Sequence, residues 1–132
     1  MPPKKIKLHV SANNNVNGVL NVKVTPWRVR LDAGDVVEWE LDTPAPGRTN
    51  NDILWFRVEQ IDQVNPWPFN PPQPPDARYT ALASGSGTVT SPPRNTANGI
   101  GDVISYGLTI GFRDDNNKLR TMYIDPDMVI DS

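Results

Sequence analysis

The chain has no cysteine and a single histidine in 132 residues. Without a thiol there is no disulfide, no thiolate nucleophile, no iron–sulfur cluster and no cysteine-bearing zinc or blue-copper centre. One imidazole, that of His9, allows no multi-histidine metal site and leaves little scope for a serine–histidine–aspartate triad. Charge of one sign is equally scarce. The 13 basic and 15 acidic residues give a formal net charge of −2, without the basic excess of a nucleic-acid binder. No run approaches the ~18–20 apolar residues of a membrane-crossing helix. The charged start, Met1-Pro2-Pro3-Lys4-Lys5, is not followed by the apolar stretch of a signal peptide. These absences lead us to expect a cytoplasmic protein that is not an enzyme, holds no cofactor or metal, and has neither a membrane nor a nucleic acid as partner.

What is abundant is proline, at 14 residues, and an apolar period of two. Ile6, Leu8 and Val10 alternate with polar neighbours, as do Leu20, Val22 and Val24, then Trp27, Val29 and Leu31, then Val37, Trp39 and Leu41. Ile104, Tyr106, Leu108, Ile110 and Phe112 form the longest such run; Met122, Ile124 and the closing Met128-Val129-Ile130 extend the pattern. Alternation is the mark of a strand with one buried face. The segment Ile53–Val58 is apolar on both faces at its start and suits a central strand. Prolines and β-branched residues oppose helix throughout. Short strands separated by turns predict one all-β domain over 1–132, an antiparallel Greek-key β-sandwich. Its length allows ~two-thirds of the unfolded surface to be buried. The turns are Asn13–Gly18, Asp32-Ala33-Gly34-Asp35 and Asp114–Asn117, rich in residues that tolerate left-handed backbone.

Two stretches break the pattern. Residues 65–76 hold six of the prolines together with Trp67 and Phe69. Proline removes ladder donors, so this segment reads as an extended loop and not a central strand. Residues 90–101 are polar and read as a flexible loop.

Val22-x-Val24-x-Pro26, then Val29-x-Leu31-x-x-Gly34-Asp35-x-Val37-x-Trp39, resembles the opening of the cupredoxins, the blue-copper fold. The run Ile104–Leu108, a hairpin, then Met122–Ile130 resembles their last two strands. The resemblance implies a Greek-key sandwich; an immunoglobulin-like sandwich is the alternative. It does not imply copper. Where cupredoxins carry their first histidine this chain has Asp42–Gly47, and where they carry cysteine and histidine it has Arg113–Lys118. The scaffold is expected without its metal, and its function has to lie elsewhere.

The proline-rich loop is the first candidate site. Trp67 and Phe69 could serve as aromatic anchors on a stiff loop, with Pro72, Pro75 and Arg78 beside them, for a protein groove or a sugar. The alternative is that both rings fold back and plug the open end of the sandwich. Asp114–Asn117 with Asp125, Asp127 and Asp131 could supply oxygen ligands to calcium, although hairpin chemistry explains the loop equally well. Glu38 and Glu40 share one strand face, which suits acid–base work. A solvated face with cross-strand partners Arg28 and Arg30 accounts for them more simply. Trp39 and Trp55 are expected in the core and Trp27 at an edge. Lys4, Lys5 and Lys7 read as edge protection of a monomer. The expectation is a non-enzymatic, protein-binding or accessory module. A carbohydrate-binding module using the loop aromatics is the alternative.

Overall fold

The computed structural model describes residues 5–14, 20–41, 53–62, 64–84, 86–113 and 118–132. Ten strands form along it: β1 (Lys5–Asn14), β2 (Leu20–Thr25), β3 (Arg28–Leu31), β4 (Val36–Leu41), β5 (Ile53–Gln60), β6 (Thr80–Leu82), β7 (Thr88–Thr90), β8 (Val103–Arg113), β9 (Leu119–Ile124) and β10 (Asp127–Ile130). The one helical piece among the described residues is a 3-10 turn, Ala77–Tyr79. It is capped by the Asp76 carboxylate, which accepts from Arg78 N at 2.9 Å.

The strands lie in two sheets. The smaller has the order β2-β1-β4-β7, and the larger the order β3-β10-β8-β5-β6, with β9 also on β8. The alternating residues face one shared core. Leu31, Val37, Trp39, Phe56, Val58, Ile104, Tyr106, Leu108, Ile110 and Met128 are completely or almost completely buried. Trp39 of β4 reaches across the sandwich and donates its indole N–H to the Tyr106 hydroxyl of β8 at 3.0 Å. Burial raises the Tyr106 phenol far above its ordinary range, against the lowering effect of the Trp39 bond.

The sheets are mixed and not wholly antiparallel as expected: β1 pairs β4 in parallel, and β3 pairs β10 in parallel. The reason lies in how the chain changes sheets. β2 leaves the smaller sheet at Pro26–Trp27, and the path continues as β3 in the larger one. The Asp32–Asp35 turn then reverses the chain and returns it as β4. In that turn Asp35 N donates to Asp32 O at 3.1 Å, Asp32 N to the Asp35 carboxylate at 2.8 Å, and Gly34 takes φ 79°. A Cβ would be strained at that angle. After one reversal between β1 and β2 and a second at this turn, β4 runs as β1 does and lies beside it.

This crossing also corrects the expected ion pairs. Arg28 and Arg30 sit in a different sheet from Glu38 and Glu40 and cannot meet them. Arg28 instead grips the carboxylate of Asp127 with two bonds, 2.7 and 3.1 Å, and Arg30 bonds Asp131 at 3.0 Å. Two of the carboxylates considered for calcium are therefore held by arginine; Asp114–Asn117 lie outside the described residues.

β9 and β10 are one strand in two parts. Leu108 faces Ile124, and Ser105 faces Asp127, three residues along each strand with no slip in register. Between them Pro126 has no N–H to give, but its carbonyl still accepts from Tyr106 N at 3.0 Å. Among the described residues no helix is long and apolar enough to cross a membrane.

Candidate binding face

Trp67 is 2% exposed and Phe69 is fully buried, so the expected loop anchors take the plug arrangement. Phe69 stands edge-on to Trp39 at 6.4 Å and to Trp67 at 5.7 Å, and Trp67 stands edge-on to Tyr79 at 5.7 Å. With the Trp39–Tyr106 contact at 5.6 Å, five rings run unbroken from the sandwich core into the proline-rich segment. Trp67 donates to the Tyr79 hydroxyl at 3.1 Å, and that hydroxyl donates to Pro72 O at 3.0 Å. The physical cause is ordinary: each large ring gains more from burial than a short, proline-stiffened loop loses by folding back.

Segment 90–101, expected as a flexible loop, is hydrogen-bonded to this plug at several points. Asn70 N donates to Pro93 O, Asn95 N to Pro68 O, Asn95 Nδ2 to Phe69 O and Asn98 Nδ2 to Pro66 O, all between 2.7 and 3.1 Å. Ser91, Arg94 and Asn98 are buried. Arg94 N donates to Asp35 O, and its guanidinium to Ser132 O. The polar side chains that make the segment look solvated serve as partners for backbone carbonyls.

The remaining predicted site residues stay near the surface. Pro72 is half-buried, and Pro75 and Arg78 are exposed. Pro74 and Pro75 meet the end of β5 around a cleft of about 350 Å³, with Arg57, Glu59 and Gln60 on its other side. Asp62 fixes the start of the segment. Its carboxylate accepts from Val64 N, Asn65 N and Asn65 Nδ2 at 2.8 to 3.1 Å. These bonds, with that from Asn65 N foremost, hold Asp62 below its ordinary pKa.

Trp55 is a further correction. It is not core; it is half-buried on the outer face of the larger sheet. A shift in register between Ile53 and Trp55 is the cause. Ile53 packs against the core, and Phe56 and Val58 are in it. The irregularity at Leu54 therefore turns Trp55 and Arg57 outwards.

On β8 the outward positions between its core residues include Gly107, Thr109 and Gly111. A Cβ at Gly111 would lie 2.2 Å from Trp55 Cε2, and one at Gly107 would lie 2.7 Å from Tyr123 Cε2. The two rings therefore occupy the space left by two missing side chains. They reach β8 from opposite neighbours, Trp55 from β5 and Tyr123 from β9. Between them Glu59 bridges two donors: Arg57 Nε at 2.8 Å on one oxygen and Thr109 Oγ1 at 2.7 Å on the other. The Arg57 guanidinium also lies over the Trp55 ring at 5.2 Å. Partial burial, then Asp125 and Glu59, raise the pKa of the Tyr123 phenol.

Leu82, Val103 and Leu119 stand exposed on this same face with Tyr123. Together they make four of the seven large apolar side chains exposed among the described residues. Trp55 and Leu119 also line a cleft of about 520 Å³ at one end of β8. Apolar alternation alone does not single out Tyr123. The signal was Gly107-x-Thr109-x-Gly111, small residues on every outward position between core residues. Neither a protein-family model nor a curated protein sequence matches this chain.

Proposed function

We propose that this chain is a non-enzymatic accessory module on a metal-free, cupredoxin-like Greek-key scaffold, and that it meets its partner through the outer face of the larger sheet. The observation that carries this reading is the gathering of exposed apolar side chains there, around two rings seated over Gly107 and Gly111. Apolar side chains gathered on one exposed face mark contact surfaces, whereas singly scattered ones need no explanation. The crossing at Pro26–Trp27 and the pairing of β3 with β10 support the Greek-key assignment. Glu59, held by a cation and a hydroxyl, suits orientation of a ligand better than proton transfer. A partner gripping Trp67 and Phe69 is disfavoured, because both rings are interior.

The test is retention. The full chain is immobilised and challenged with an extract of the cells that make it, beside a Tyr123→Ala variant and a control, Lys23→Ala, on the other sheet. The wild type and the control are expected to retain the same component, protein or polysaccharide, and Tyr123→Ala to lose it. Equal retention by all three, or none by any, would contradict the assignment.

A further inference from the structure

The geometry points to an unbranched, uncharged oligosaccharide as the ligand of the outer face, lying along β8 from Trp55 to Tyr123. The inference rests on the reading of this face as a contact surface and adds the chemistry of what it contacts.

Three observations carry it. The first is the height of the Trp55 ring. Trp55 Cε2, Nε1 and Cζ2 all lie within 2.7 Å of where a Gly111 Cβ would be. The indole therefore packs directly against the β8 backbone at Gly111. Aromatic hot spots of protein interfaces fill pockets on the partner, and a ring sunk to this level has little to insert. Beside the Arg57 guanidinium, which lies over it at 5.2 Å, it can still offer apolar surface to something flat, such as the C–H face of a pyranose.

The second is the spacing. Gly107 and Gly111 are four residues apart on one strand, which places the two seats about 13 Å apart at ~3.3 Å per residue. That span suits a short run of sugar units, with a ring beneath each end.

The third is what lies between. Thr109, Glu59 and Arg57 form one bonded set whose members hold one another in place. The Arg57–Glu59 pair balances its own charge, so the middle of the face selects for no ionic ligand. Arg57 bonds Glu59 through Nε, which leaves its two terminal amines as donors, and each carboxylate oxygen accepts more than one bond. Preset donors and acceptors between apolar surfaces are the arrangement that orients a polyhydroxylated ligand. A purely apolar partner would gain nothing from them.

The test uses the full chain with defined probes: hexasaccharides of β-1,4-linked glucose, xylose and N-acetylglucosamine, and of α-1,4-linked glucose. At least one is expected to give a saturable change in tryptophan fluorescence, together with amide shifts at Gly107, Thr109 and Gly111. Tyr123→Ala should weaken that binding about tenfold, the size of one aromatic contact. Arg57→Ala serves as a second variant should Tyr123→Ala alter the unfolding midpoint. Silence from all four probes overturns the inference, as does binding that neither variant weakens. If the probes are silent while a component from the extract still depends on Tyr123, the saccharide is wrong and the contact surface stands. If that component is also missing, both fail.

Discussion

Tyr79 joins two burdens in one hydroxyl: it accepts from the Trp67 indole and donates to the Pro72 carbonyl. Removing that oxygen with Tyr79→Phe leaves a buried N–H and a carbonyl unpaired, which costs about 1–3 kcal/mol per orphaned group. Phe69→Ala removes a ring that touches both Trp39 and Trp67 and should cost about 3–5 kcal/mol. Urea unfolding checks both; a near-zero change for Phe69→Ala would mean that the plug is not part of the core. Asp62 gives a pH dependence. Its folded pKa lies below the ordinary 3.8, so its bonds stabilise the fold above that value and are lost as pH falls through it. The stability gap between wild type and Asp62→Ala should therefore narrow between pH 5 and the folded pKa, and a gap that is constant or widens would show that the carboxylate does not hold the turn. None of these partners was legible in the sequence. Whether Trp67 and Phe69 are anchors or plug stays open in the sequence, and what decides it is the pairing of residues 66–70 with residues 93–98. That is a contact between two loops, and no local pattern encodes it.

The strand elements were largely legible, because a face that is buried forces a period of two. The inward set of β8, from Ile104 to Phe112, is the clearest case. Alternation misplaces Trp55 because it fails at a bulge: one extra residue at Leu54 moves every later side chain to the other face. The glycine seats yield an ordering that tests the outer face as an element. Gly111→Ala drives a Cβ into the fused part of the Trp55 indole, whereas Gly107→Ala meets the Cε2 and hydroxyl end of an exposed tyrosine that can swing away. Gly111→Ala should cost about 1–3 kcal/mol, as overpacking does, with a shift in tryptophan emission. Gly107→Ala should cost clearly less. Equal costs would mean that Trp55 is not seated as described. The fate of the proline-rich segment belongs to the same scale. Deleting Gln73–Asp76 removes buried Pro74 and the cap of the turn that presents Tyr79. Cooperative unfolding should weaken or vanish in the deletion, whereas an unchanged transition would show the loop to be an appendage.

Across the whole molecule, the two parallel pairings were illegible in the sequence because both join distant segments through sheet crossings. Alternation reports which face of a strand is buried and says nothing of its neighbour. β3 is held in its sheet by β10, whose residues lie about a hundred positions later, and β10 in turn completes the pairing of β8. The last described strand therefore closes the larger sheet on two sides and adds Met128 and Ile130 to the core. Asp127 and Asp131 supply the partners of Arg28 and Arg30. Pairings of such separation close long loops before they are rewarded by contacts, which slows folding. A chain ended after Pro126 should accordingly lose more than the sum of its side-chain contacts. β3 would become an unpaired strand, and the Pro26–Trp27 crossing would lead to no sheet. We expect that truncation to lack a cooperative thermal transition and to bind a hydrophobic dye, while the separate substitutions Met128→Ala and Arg28→Ala keep a single transition. A truncated chain that melts cooperatively near the wild-type temperature would mean that β3 is secured by something other than β10. The crossing between sheets would then be local structure and not the closure of the fold.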